Sequence, residues 1–248
     1  DSDAYGAFAA AAVSAGHTVM SVGEHGQALR LVERRAEAEG QHLTVVCAGR
    51  TFEILLPLAG AFQASNALVA AGLCIAAGEA PDETLAALEH IQGAPGRLQR
   101  IGAGPRGGEA YIDYAHTPDG LKAVLEAIRP HARGRLIVVF GAGGDRDRAK
   151  RPLMGAAAVQ GADLVFVTDD NPRGEEPASI RAAILVGAPR AHEIGDRRQA
   201  IAAAVAELND GDVLVVAGKG HEQGQIIGSQ VLPFDDATEV AAALGGAA

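Results

Sequence analysis

Two short runs, Leu136-Ile137-Val138-Val139-Phe140 and Val213-Leu214-Val215-Val216, are apolar at every position. A strand with one face in water alternates polar and apolar residues, whereas a strand covered on both faces has no such constraint. The runs therefore call for a parallel sheet sandwiched by helices. From Ile101 onward, strand candidates at Ala110–Asp113, Leu136–Phe140, Leu164–Thr168, Ala191–Ile194 and Val213–Ala217 alternate with helical stretches at Asp119–Ile128, Arg151–Gln160, Pro177–Val186 and Arg197–Leu208. The expected fold class is α/β, with a doubly wound, mostly parallel sheet. Sheets of this kind carry their sites in loops at the carboxyl ends of the strands.

The first hundred residues read as mixed α and β. A helix is expected over Ala7–Ala15, a strand over Thr18–Val22, and a hairpin from Leu43–Cys47 and Phe52–Leu56 around Ala48-Gly49-Arg50. An Ala-rich helix spans Ser65–Ala77, and Pro81-Asp82-Glu83 opens another with acids in its first turn. Gly93-Ala94-Pro95-Gly96 is the strongest punctuation, so a domain boundary is expected near Ile101, dividing 1–100 from 101–248.

With no Trp and only 4% aromatic residues, the core must come from Ala, Val, Leu and Ile. A net charge of −10 argues against nucleic acid as the main partner. No apolar run reaches the ~20 residues that cross a bilayer, so membrane insertion is not expected. The acidic start Asp1-Ser2-Asp3 carries no charged-then-apolar leader, which makes the cytoplasm the expected location. Cys47 and Cys74 show no metal-binding spacing, and Cys74, within Ala70-Ala71-Gly72-Leu73-Cys74-Ile75, is expected in the core.

Polar loops follow the expected strands: 113–119, 141–148, 169–173 and 218–222. The second begins like a dinucleotide fingerprint, but Arg146 occupies the place of the third small residue, so a nicotinamide is not expected. Arg146, Arg148, Lys150 and Arg151 crowd a helix start, which makes them either surface charge or an anion site. Asp170-Asn171-Pro172-Arg173 reads from spacing alone as a proline turn, and His116 and His221 as ordinary loop histidines. Gly218-Lys219-Gly220 looks like a phosphate cradle, yet a full Walker A pattern occurs nowhere in the chain. On these residues alone, the chain is an α/β protein for a small anionic or zwitterionic ligand.

The same segments, taken in order, resemble the Mur ligase family and its diaminopimelate-adding members. The resemblance runs through Leu58-Ala59-Gly60 and Asn66, Pro95-Gly96-Arg97, Asp113 to Pro118, Gly143 to Asp147, Lys150-Arg151-Pro152, Asp170 to Arg173, Gly218 to Glu222, Gln225, and Phe234-Asp235-Asp236. It implies that 1–100 is the end of a central ATP-binding domain lacking its Walker A loop. It implies that 101–248 is the carboxy-terminal domain that receives the incoming amino acid.

The implied activity belongs to peptidoglycan precursor synthesis. ATP, with Mg²⁺, phosphorylates a carboxylate of UDP-N-acetylmuramoyl-L-alanyl-D-glutamate, and the amine of meso-diaminopimelate attacks the acyl phosphate. Arg146, Asp170, Asn171, Pro172, Arg173, Gly218 and Glu222 match the family's diaminopimelate positions. Arg97, Asp113 and Asn66 match nucleotide positions, while Gln63 stands where relatives commonly have asparagine. Arg146 and Arg173 are expected to grip the far carboxylate that lysine lacks, and Glu222 and the Gly218 carbonyl to accept from the neighbouring ammonium. Lysine-adding relatives usually lack the arginine corresponding to Arg173. The other readings are a lysine-adding ligase or a non-catalytic amino-acid-binding module. No catalytic residue is named, because the central-domain residues are absent from this sequence, and the chain alone is expected to be inactive.

Overall fold

The computed structural model describes residues 4–37 and 39–245, so Asp1-Ser2-Asp3 lies outside the described residues. The chain divides into two compact units, Asp1–Gln92 and Gly93–Ala248. The break precedes the junction expected near Ile101, because the intervening turn belongs to the second unit. There the Gly96 amide donates to Gln99 Oε1 at 2.9 Å, and the Leu98 amide to Asp113 Oδ2 at 2.8 Å.

The first unit contains α1 (Tyr5–Ser14), β1 (Val22–Gly23), β2 (Leu29–Glu37), β3 (Gly40–Cys47), β4 (Arg50–Leu56), α2 (Ala61–Ala76) and α3 (Pro81–Ala87). Its sheet has the order β1-β2-β3-β4, parallel at the first pair and antiparallel thereafter. Leu29, Leu43, Val45, Ile54 and Leu56 pack against Ala64, Ala67, Leu68 and Ala71 of α2. Of the expected Thr18–Val22 strand only Val22 is in a strand, the two-residue β1. β2 escaped the sequence reading because charged residues occupy Arg30, Glu33, Arg34 and Arg35 among its apolar ones.

Cys74 is exposed, contrary to expectation, while Cys47 is buried. The buried face of α2 runs through Ala64, Ala67, Leu68 and Ala71 and continues at Ile75, not Cys74. From Ala67 to Ala76 the helix carries only apolar residues and glycine, so no periodicity marks that face there.

The second unit contains β5 (Gln99–Ala103), β6 (Glu109–Asp113), α4 (Pro118–Ile128), β7 (Leu136–Phe140), α5 (Lys150–Gly161), β8 (Leu164–Val167), α6 (Pro177–Leu185), β9 (His192–Glu193), α7 (Arg197–Glu207), β10 (Val213–Ala217), β11 (Gly224–Ile227), β12 (Gln230–Pro233) and α8 (Asp236–Ala243). Its main sheet has the order β5-β6-β10-β7-β8-β9. All neighbours are parallel except β5, which runs antiparallel to β6. The all-apolar runs are β7 and β10, buried at every position, as strands covered on both faces should be.

α7 and α8 pack on one face, where Ala200, Ile201, Ala204, Val205 and Val240 meet Ile137, Val139, Leu214 and Val216. Local chemistry sets the helix starts. Thr117 Oγ1 accepts from the Gly120 amide with Pro118 in the first turn, and Asp196 and Asp235 cap α7 and α8 in the same way. β11 and β12 form a separate two-stranded hairpin. Among the described residues, no helix is long and apolar enough to cross a membrane.

Candidate functional site

The loops after β6, β7, β8 and β10 converge at the carboxyl edge of the second unit's sheet, around a cleft of about 520 Å³. Arg146, Asp170, Asn171, Arg173, Gly218 and Glu222 all line it, together with Tyr114, His116, Thr117, Gly143, Asp147 and Lys150. These last six were not assigned to the ligand from sequence, although every one lies in a loop or helix start singled out there. Pro172 contributes through its backbone. A Cβ on Gly144 would lie 1.9 Å from the Pro172 carbonyl oxygen, so only glycine lets the β7 and β8 loops touch. The Gly144 amide donates to the Asn171 carbonyl at 2.9 Å across that contact.

Arg173 occupies the left-handed region, φ 52°, unusual for a side chain of its size. The β11 segment holds it there: its amide donates to Ile226 O at 3.0 Å, and its carbonyl accepts from the Gly228 amide at 2.7 Å. Its Nη1 donates to Gly144 O at 3.0 Å, which aligns the guanidinium with the β7 loop. Arg146 Nη1 donates to the carbonyl of Asp145 at 3.0 Å. Both arginines are thus tethered by backbone carbonyls, and among the described residues neither is spent on a carboxylate.

The basic cluster at the start of α5 divides. Arg151, only 3% exposed, turns inward to Glu175, and Arg148 Nη2 reaches the same carboxylate at 3.2 Å. The expectation of one four-residue anion site is therefore corrected: Arg146 and Lys150 face the cleft, while Arg148 and Arg151 hold Glu175. Hydrogen bonds from Arg151 and the Asp145 amide pull the Glu175 carboxyl down to about 2. Lys150 Nζ donates to His116 O at 2.8 Å, and burial lowers its ammonium below the ordinary range.

On the opposite side, Asp170 presents its carboxylate against Gly218, where a Cβ would lie 2.6 Å from Oδ2. Beneath it, Arg197 and Asp236 form a two-pronged ion pair, 2% and 0% exposed, with Arg197 Nη2 also donating to Ala217 O at 3.0 Å. Lys219, in the segment that looked like a phosphate cradle, is fully buried. Its Nζ donates to Asn171 Oδ1 at 2.9 Å and to Gly224 O at 2.6 Å. Asn171 Nδ2 in turn donates to Glu222 Oε2 at 2.9 Å.

The sequence-matched nucleotide residues are not all alike. Arg97 is exposed, its guanidinium 5.0 Å from the centre of the Tyr114 ring. Asp113 is 7% exposed and accepts from the Leu98 and Ala115 amides, one on each oxygen, at 2.8 Å. Burial raises its carboxyl above the ordinary range. Asn66 is exposed on α2 in the first unit, its Nδ2 3.4 Å from Gln63 Oε1.

The second unit is an open α/β sheet whose carboxyl-edge loops gather guanidinium, ammonium and carboxylate groups around one cleft. The chain belongs to the Mur ligase family: the family pattern described as "Mur ligase, glutamate ligase domain" matches residues 96–220. A UDP-N-acetylmuramoyl-L-alanyl-D-glutamate–2,6-diaminopimelate ligase of Caulobacter vibrioides is 66% identical over 246 residues, covering 99% of this chain and 51% of that protein.

A solved structure of a ligase of the same description superposes with a TM-score of 0.77 at 36% identity, over 99% of this chain and 51% of its own. A Mycobacterium tuberculosis folylpolyglutamate synthase complexed with ADP and AMPPCP matches with a TM-score of 0.62 at 25% identity, covering 86% of this chain and 50% of its own. The chain thus spans about half the length of the relatives it matches.

Proposed function

We propose that this chain contains the amino-acid-receiving part of a cytoplasmic ligase that joins meso-diaminopimelate to UDP-N-acetylmuramoyl-L-alanyl-D-glutamate in peptidoglycan precursor synthesis. The observation that carries the reading is the common cleft of Arg146, Arg173, Asp170 and Glu222. Meso-diaminopimelate has an ammonium and a carboxylate at each end. Two guanidiniums tethered by backbone carbonyls, with no carboxylate partner among the described residues, suit the far carboxylate through charge-assisted hydrogen bonds. Glu222, Asp170 and the Gly218 carbonyl suit the neighbouring ammonium. Lysine would leave the arginines unmatched, a penalty that discriminates more strongly than shape alone. The position of the far end fixes where the near-end amine meets an activated carboxylate.

ATP supplies the phosphoryl group that activates that carboxylate in this reading. Exposed Arg97 fits a nucleotide contact. Asp113 fits an indirect role, since its oxygens hold the backbone on either side of the loop. Asn66 belongs to the first unit, which we assign to the ATP-binding part, with the second unit as the amino-acid part. No group of three or more His, Cys, Asp or Glu side chains among the described residues is arranged to hold a metal ion, so Mg²⁺ is assigned to no residue of this chain.

Calorimetric titration of the 248-residue chain with meso-diaminopimelate and with lysine tests the reading. The expected result is clear preference for meso-diaminopimelate; equal affinities refute the substrate assignment.

A further inference from the structure

The structure assigns Lys219 a role in substrate selection: we propose that its buried ammonium is an internal strut that positions Asn171 and Glu222 for the ligand's ammonium group. The inference rests on the substrate reading above and adds a residue that never faces the cleft. Lys219 is 0% exposed, and its donors go to the Asn171 side chain on the β8 loop and the Gly224 carbonyl at the foot of β11. A third direction faces Glu222 Oε2, 3.6 Å away. One charged group therefore joins three segments: the 170–173 loop, the 218–222 loop and the β11–β12 hairpin.

The consequence for Asn171 is geometric. Its Oδ1 accepts from both Lys219 Nζ and the Ile226 amide, each at 2.9 Å, so the amide has one orientation and Nδ2 must point to Glu222. Glu222 Oε2 is thereby fixed, while Oε1 has no protein partner among the described residues. The carboxylate is held by one oxygen and offers the other. The same hairpin also grips the backbone of the binding loop, through Gln225 Nε2 to Asp170 O at 2.8 Å and the two backbone bonds to Arg173. A buried ammonium is costly unless each proton finds an acceptor. Here the acceptors are the groups that shape the cleft. Lys219 thus acts through others and is a positioning residue.

The test is a double-mutant cycle on the full chain, read by calorimetric binding of meso-diaminopimelate. Lys219→Met and Glu222→Gln are each expected to weaken binding by about tenfold or more, the scale of a lost charge-assisted hydrogen bond. The double variant is expected to be no worse than the weaker single one, because the strut acts through the carboxylate. A purely structural lysine predicts additive losses instead, and additive losses overturn the proposal. Should Lys219→Met not fold, Asn171→Asp decides. It keeps the acceptor for Lys219 and Ile226 but turns an oxygen toward Glu222, so affinity should fall in a chain still folded at the titration temperature. Unaltered affinity in that variant overturns the strut. A wild-type chain that fails to prefer meso-diaminopimelate over lysine overturns the substrate reading itself.

Discussion

The Arg151 guanidinium grips both oxygens of the Glu175 carboxylate, at 2.8 and 3.1 Å, and does so from a site almost closed to solvent. Glu175 also accepts from the Asp145 amide at 2.7 Å, so one carboxylate ties α5 to the loops on either side of the cleft. Its folded-state value of about 2 lies below the ordinary 4.5. A depressed carboxyl contributes stability that is complete above its unfolded value and is lost as pH falls through the folded one. The stability of the wild-type chain should therefore decline between about pH 4.5 and 2 with a component that Glu175→Gln removes. Denaturant midpoints measured across that window check it; parallel profiles for the two proteins refute it.

Arg173 combines a strained backbone with a side chain that lines the cleft, and substitution separates the two. Arg173→Ala keeps the cost of positive φ, whereas Arg173→Gly relieves it, so the glycine variant should be the more stable by about 0.5–1 kcal/mol. Both should lose most preference for meso-diaminopimelate over lysine. Thermal melts report the first expectation and competitive titration the second.

Gly144 has no room for a side chain. Gly144→Ala drives a methyl group against the Pro172 carbonyl and should break the backbone bond to Asn171. Overpacking of this kind costs about 1–3 kcal/mol. A lower melting temperature together with weakened amino-acid binding is expected; unchanged binding would mean that the two loops move independently.

Arg197 and Asp236 are a fully enclosed ion pair, and one guanidinium nitrogen, Nη1, has no hydrogen-bond partner among the described residues. Removing one member strands the other, so Arg197→Met and Asp236→Asn should each destabilise the unit by about 3–5 kcal/mol. Replacing both with apolar residues should recover much of that loss. Urea unfolding of the three variants is the measurement.

The 248-residue chain on its own is expected not to hydrolyse ATP, since no Walker A pattern occurs in it. Phosphate release in the presence of Mg²⁺ and meso-diaminopimelate is the assay, and stimulated turnover would overturn the expectation.

Much of the second unit was legible because burial on two faces leaves a run such as Leu136–Phe140 with no polar residue, a signal that needs no partner strand to be read. β5 was missed for the converse reason: an edge strand reading Gln99-Arg100-Ile101-Gly102-Ala103 has water on one side and glycine within it. β9 shrank to two residues because only Phe166 and Val167 offer it a neighbour. At the site, spacing alone could list the loops in order but not divide the basic cluster at the start of α5; only the resemblance singled out Arg146. Arg146 and Arg151 differ in destination because Glu175, in the next loop of the sheet, captures one of them, and sequence spacing carries no trace of that long-range contact. Lys219 was hidden similarly: a lysine between two glycines looks like part of a phosphate cradle until Asn171 and Gly224 are brought around it.

Strand β10 sits between β6 and β7, though both are made a hundred or so residues and some seventy residues before it, respectively. On the ribosome, the amino-terminal strands of this sheet must therefore wait, with a gap where their shared neighbour belongs, until Val213–Ala217 emerges. The loop that follows β10 supplies Gly218 and Glu222, so the pocket is completed by the last strand to join the sheet. A nascent chain released before that point would lack both its middle strand and two of the residues that line its cleft.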